Sequence, residues 1–213
     1  MKHKAAIFDL DGVLADTAKY HFQAWRRLAS SLGINFTEHD NERLKGVSRM
    51  RCLDIILELG GVTMDRKAKE ILAERKNTWY REYLETLDES CLLEGAHAYV
   101  SALKRMGILT AVGSASRNAR AILEKAGVIG LFDAVVDGNM VHNPKPDPEV
   151  FLLAASMLRA EPAGCVVFED AVEGIRAAKA AGMTAVGIGS EVVLSDACLV
   201  FPGLGRADFR LFQ

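Results

Sequence analysis

Ala5, Ala6, Ile7 and Phe8 offer no polar side chain to either face of an extended chain. A strand of this kind must be covered on both sides, as in a parallel sheet sandwiched between helices. The run ends at once in Asp9-Leu10-Asp11-Gly12. Side chains alternate along a strand, so Asp9 and Asp11 share one side and Leu10 faces the other. Two carboxylates held together repel unless a cation or a shared proton lies between them. The same pattern also suits an ordinary turn in which an aspartate caps the next segment. Its meaning depends on what the other strand ends carry.

The rest of the chain has two textures. Between Asp16 and Leu87 the apolar residues recur at helical intervals and no strand is expected. Tyr20, Trp25, Leu28 and Leu32 space out as one helix face, stopped by Gly33. A second helix is expected over 38–44. Leu53, Ile56, Leu57 and Leu59 mark a third, closed by Gly60-Gly61. Ile71, Leu72, Trp79, Tyr83 and Leu87 mark a long fourth, with charges on its outer face. After Glu94-Gly95 strands alternate with helices: strands over 108–112, 132–136, 165–168 and 184–188, and helices over 118–126, 149–158 and 172–181. That alternation implies βαβ units. The expected fold class is α/β, with a Rossmann-like parallel sheet as core domain (1–15 and 92–213) and an inserted helical cap domain (16–91). Two short crossings, near 15–17 and 91–94, join them.

Composition narrows the function classes. A chain of 213 residues can bury one good core, or one core and a smaller satellite. Half the residues are hydrophobic, a quarter are charged and the net charge is -2, which gives no reason to expect nucleic acid or an anionic membrane as partner. No apolar stretch approaches the roughly 18 residues of a membrane span, and no signal peptide precedes the first strand, so a cytoplasmic protein is expected. Cys52, Cys91, Cys165 and Cys198 are far apart, without a paired motif or a nearby histidine at ligand spacing. They read as reduced thiols and argue against zinc.

In open α/β sheets, ligands bind outside the carboxyl ends of the strands. The strand over 108–112 leads into GSASRN, residues 113–118. Small residues there let backbone amides approach an anion, Ser114 and Ser116 add hydroxyls, and the following helix adds the positive end of its dipole. The next strand leads into NPKPDPE, where Pro144 and Pro146 stiffen the loop around Lys145. The strand over 165–168 ends in Glu169-Asp170. Singly these are a helix cap, an exposed lysine and a helix start. Together they gather four acids, a lysine and a nest of amides near Ala115 in one layer. Several carboxylates around a point need a hard cation such as Mg²⁺, and a lysine beside amide donors suits a phosphoryl group.

DLDGVLADT, GSAS, the Lys145 loop and the Glu169-Asp170 pair resemble the haloacid dehalogenase superfamily, in its order and over the full chain. TAKYHFQAW (17–25), LKGVSR (44–49), ERKN (74–77) and SASRN (114–118) resemble, within it, the β-phosphoglucomutase family. The resemblance implies a monomer acting on a small sugar phosphate. β-D-glucose 1-phosphate would become glucose 6-phosphate through an aspartyl phosphate and a bound β-glucose 1,6-bisphosphate. It implies Asp9 as nucleophile and Asp11 as general acid and base. It also implies Mg²⁺ on Asp9, the Asp11 carbonyl, Glu169 and Asp170, with Ser114 and Lys145 on the transferred group. His21 and Lys76 are the implied cap pair that meets Asp11. Trp25, Gly46, Val47, Ser48, Arg49, Ala115, Ser116, Arg117 and Asn118 are the implied substrate contacts, Arg49 with Ser48 as helix N-cap holding a second phosphate. Arg117 stands where the family pattern has lysine, and Cys52 where it has serine. A phosphatase using water as acceptor shares all the core residues, and a catalytically silent binding module shares the fold.

Overall fold

The computed structural model describes residues 3–44 and 46–212, so Lys45 of the LKGVSR stretch lies outside the described residues. The apolar run forms strand β1 (Ala5–Phe8), each residue of it fully buried. It is joined by β2 (Leu109–Gly113), β3 (Ala134–Val136), β4 (Cys165–Glu169), β5 (Thr184–Ile188) and β6 (Leu199–Phe201). The sheet order is β3-β2-β1-β4-β5-β6, and all pairs are parallel.

Strand alternation divides the core in two. Ala6, Phe8 and Leu10 join one apolar cluster, with Val112, Phe168 and Val186; Ala5 and Ile7 join another, with Ala111, Val136 and Val167. Helices α5 (Ala96–Arg105) and α6 (Ala119–Lys125) cover the first face through Tyr99, Val100, Leu103 and Ile122. Helices α7 (Glu149–Met157) and α8 (Val172–Ala180) cover the second through Phe151, Ala154, Ile175 and Ala178. Phe8 and Phe168 stack across β1 and β4, with ring centroids 4.9 Å apart.

Between β1 and α5 the chain is helical: α1 (Ala18–Ser31), the short α2 (Glu38–Asn41), α3 (Arg49–Leu59) and α4 (Arg66–Leu84). Trp25, Leu28, Phe36, Leu53, Ile56 and Ala73 build an apolar cluster of their own there. Ala24, Tyr80 and Leu84, at the base of α1 and α4, instead join the core cluster beneath. The entering and leaving chains are tied together, Asp16 N–H donating to Cys91 O (2.7 Å) and Leu93 N–H to Leu14 O (3.0 Å).

Two elements go beyond the sequence expectation. Helix α5 is legible in the spacing of Ala96, Tyr99, Val100 and Leu103. Strand β6 is three residues long, exposed or half-buried, and has no pattern to find. The segment over 38–44 splits into α2 and a 3₁₀ turn, Glu42–Leu44. In α4 the expected apolar residues Leu72, Trp79 and Tyr83 pack against the apolar clusters, and Leu87 is buried just beyond the helix; Ile71 is the exception. Ile71 is 61% exposed, and the buried residues are Ala73, Lys76, Asn77, Tyr80 and Leu84.

Phe168→Ala should cost about 3–5 kcal/mol of unfolding free energy, because it opens a cavity in a fully buried stack. Urea unfolding followed by circular dichroism measures this; a loss below about 1 kcal/mol would mean that the sheet does not depend on the stack.

Candidate active site

The sheet register builds the floor of the site. Phe8 pairs with Val112 on one side and with Phe168 on the other, so the next residues, Asp9, Gly113 and Glu169, reach the strand ends at one level. Lys145 Nζ donates to all three: Asp9 Oδ1 at 2.6 Å, Glu169 Oε1 at 2.6 Å and the Gly113 carbonyl at 3.2 Å. Burial works against the ammonium, but Asp9 and Glu169 outweigh it and raise its pKa, so it stays charged. Glu169 is wholly buried and its second oxygen accepts from Ala171 N–H at 2.7 Å. Gly174 leaves that carboxylate its room, since a Cβ there would lie 1.8 Å from Oε1.

Asp11 sits one step above the floor. Burial, and then the charge of Asp9, push its carboxyl up to about 6. Thr17, itself wholly buried, donates its hydroxyl to Asp11 Oδ1. His21 Nε2 stops 3.7 Å from the same oxygen and has no hydrogen-bond partner among the described residues. His21 Nδ1 is 2.9 Å from Lys76 Nζ. Burial, followed by the neighbouring Lys76 and Arg49 charges, holds the imidazole well below its usual range, so it is neutral, with Nδ1 accepting from the lysine. Burial also brings Lys76 down to about 7. Tyr80 lies under the pair, its ring 4.0 Å from that of His21 and 4.5 Å from Lys76 Nζ.

A second polar group stands where α3, α4 and the loop after β2 meet. Ser48 caps α3, its side chain accepting from Arg51 N–H, and Arg49 opens the helix. Arg49 Nη2 donates to Asn77 Oδ1 at 2.8 Å, and Nη1 lies 3.4 Å from Glu74 Oε2. Asn118 Nδ2 donates to the same Asn77 oxygen at 3.2 Å. The loop is wound by its own serines: Ser114 Oγ accepts from Ser116 N–H, and Ser116 Oγ from Asn118 N–H. Burial, and then the charge of Arg117, lower the pKa of Arg49.

One cavity of about 680 Å³ joins these groups. Asp9, Asp11, His21, Trp25, Lys76, Lys145 and Asp170 line it, as do 46–49 and 115–118. Ser114 and Glu169 do not; both are wholly buried outside its lining. Among the described residues no three His, Cys, Asp or Glu side chains cluster as metal ligands. What the site offers an ion is the carboxylates of Asp9 and Asp170 with backbone oxygen and water, a donor set that fits Mg²⁺. Gly12 makes the space for Asp170, since a Cβ there would lie 2.2 Å from its Oδ2. Glu169, expected beside it at the ion, has both oxygens engaged by Lys145 and Ala171.

The family model for haloacid dehalogenase-like hydrolases matches residues 3–182. The chain belongs to that family. Its relatives within the family include a β-phosphoglucomutase of Bacillus subtilis, 44% identical over 92% of this chain and 88% of that protein. A phosphorylated carbohydrates phosphatase of Thermotoga maritima is 36% identical over 84% of this chain and 82% of its own. The crystal structure of a β-phosphoglucomutase from Clostridium difficile superposes with a TM-score of 0.94 at 38% identity, over 99% of this chain and 96% of that one.

The polar residues of this haloacid dehalogenase-like site that are not among the sequence candidates include Thr17, Asn77 and Tyr80. Asn77 and Tyr80 share the polar face of α4 with Lys76, where hydrophobic periodicity gives no signal. Thr17 directly precedes α1 and reads as a routine cap, yet it makes no side-chain capping bond and turns to Asp11 instead.

Lys145→Ala should destabilise the fold by about 3–5 kcal/mol, because it leaves two carboxylates buried without their cation. Urea unfolding at constant pH measures it, and a loss under about 1 kcal/mol would show that the triad is not what holds the floor.

Proposed function

We propose that this protein is a β-phosphoglucomutase that converts β-D-glucose 1-phosphate to glucose 6-phosphate, acting as a cytoplasmic monomer. The observation that carries this reading is that one cavity faces two separate sets of phosphate-binding groups. Lys145 stands beside Asp9, and Arg49 with Arg117 and Asn118 forms the other set. A phosphatase needs only the first. A mutase needs both, because its bisphosphate intermediate presents a phosphate at each end. The 44% identity to the B. subtilis enzyme supports the same reading.

In this proposal Asp9 attacks phosphorus, and the bond to the donor oxygen breaks as an aspartyl phosphate forms. Asp11 gives that oxygen its proton, then takes one from the sugar hydroxyl that attacks the aspartyl phosphate. The C6 hydroxyl of β-glucose 1-phosphate attacks first, giving β-glucose 1,6-bisphosphate. The sugar turns over, and its C1 phosphate passes to Asp9, leaving glucose 6-phosphate. Thr17 fixes the rotation of Asp11, while Lys76 sets the His21 tautomer that points N–H toward it. Lys145 offsets charge on the transferred group. Bound Mg²⁺, held by Asp9, the Asp11 carbonyl and Asp170, would supply further charge neutralisation. Residues 16–91 act as a cap over the core of 1–15 and 92–213, excluding the water that would otherwise hydrolyse the aspartyl phosphate.

Transfer to water is the alternative favoured by the T. maritima phosphatase relative. The two readings differ at Arg49. A charge-assisted bond to phosphate is worth on the order of 1.5–3 kcal/mol, so Arg49→Ala should slow isomerisation at least about tenfold. Hydrolysis of the aspartyl phosphate should fall far less. ³¹P NMR on β-glucose 1-phosphate with Mg²⁺ and a trace of the bisphosphate follows both products. Inorganic phosphate as the main wild-type product, or an Arg49→Ala variant that isomerises at the wild-type rate, would sink the mutase reading.

A further inference from the structure

Asn77 lies on the buried face of α4 and is 8% exposed. Its side-chain oxygen accepts from Arg49 on α3 and from Asn118 on the loop after β2. A guanidinium can only donate, so the orientation of the Asn77 amide is determined: Oδ1 faces Arg49, and Nδ2 turns to Glu74 Oε1, 3.4 Å away. Asn118 must then present its own amide nitrogen to an oxygen that is already an acceptor. One atom of α4 thus joins a donor from the helical segment to a donor from the core.

That junction addresses a problem specific to this place. The charge of Arg117 repels that of Arg49, and Glu74 lies 3.4 Å from its other terminal nitrogen, drawing it toward an exposed carboxylate. A long side chain left to choose would lose much rotamer freedom on gripping an anion. The Asn77 oxygen takes one guanidinium N–H and leaves the others for a ligand. It holds Arg49 without placing a full negative charge where a phosphate must enter.

We propose that Asn77 is a positioning residue for the second phosphate, holding Arg49 and Asn118, one from each side of the cavity, as a single preassembled grip. This rests on the mutase reading for the identity of that phosphate. Asn77 itself need not touch the ligand.

The test is a thermodynamic cycle in an Asp9→Asn background with Mg²⁺, where β-glucose 1,6-bisphosphate fills both ends without turning over. Isothermal titration should give dissociation constants about tenfold or more weaker for Asn77→Ala and for Arg49→Ala taken singly. The double variant should be little weaker than the worse single, because Asn77 acts through Arg49. Two effects that multiply, or an Asn77→Ala within twofold of its parent, would overturn the proposal. Alanine is the better helix former, and water reaches the Arg49 side chain, which is 18% exposed. If Asn77→Ala nonetheless fails to fold, the cycle between Arg49→Ala and Asn118→Ala decides: a shared oxygen requires coupled losses, and independent losses refute it. Products of the unmodified enzyme are scored separately. A wild type that only hydrolyses fails the mutase reading, while the titration still reads the grip.

Discussion

The ammonium of Lys145, held between Asp9 and Glu169, is the contact on which the rest of the site depends. The lysine is the partner the set cannot lose, since removing it leaves two buried carboxylates side by side without their cation. The set in turn dictates its surroundings. Glu169 needs the Ala171 amide for its second oxygen and the bare Cα of Gly174 for its volume. Lys145 needs strands whose ends come level, so that one nitrogen can reach β1, β2 and β4 together. The proposed nucleophile is therefore placed by main-chain register, and its orientation is set by a lysine from a different loop.

Much of this is legible in the order of the residues. Continuous apolar runs give a parallel sheet, strand-helix alternation gives its covering layers, and the absence of strand pattern over 16–87 gives the helical insertion. The strand-end residues are legible too, because a parallel sheet brings its carboxyl ends to one edge whatever lies between them in sequence. Periodicity fails where function overrides burial. On α4 a lysine, an asparagine and a tyrosine share the buried positions with the expected apolar residues, and Ile71 alone of those is turned outward, so the apolar pattern misses the polar half of that face. Motif resemblance recovers Lys76 from that face and includes Asn77 in the same stretch without giving it a role, while Tyr80 carries no signature in a single sequence. Glu169 is the opposite case: its residue type suits a metal ligand, and the geometry adds that each of its oxygens accepts a hydrogen bond, from Lys145 and from Ala171.

The helical segment and the core both line the cavity, the core with Asp9, Asp11 and Lys145 and the helices with His21, Lys76 and Arg49. Contacts such as Asn118 with Asn77 cross between them through single hydrogen bonds. Apolar packing crosses as well, because Ala24, Tyr80 and Leu84 of α1 and α4 belong to the core cluster.

The place of β1 in the sheet has a consequence for how the polypeptide reaches its native state. Its two neighbours, β2 and β4, both come after the whole helical insertion, and β4 much later still. During synthesis this central strand waits unpaired while α1 to α4 are made, and those helices have a cluster of their own to bury meanwhile. Long-range parallel pairing of this kind is slow, because loop closure must precede any contact that rewards it. The exposed edge of Ala5–Phe8 is thus the segment at which a chaperone, or a second nascent chain, would most readily compete with β4.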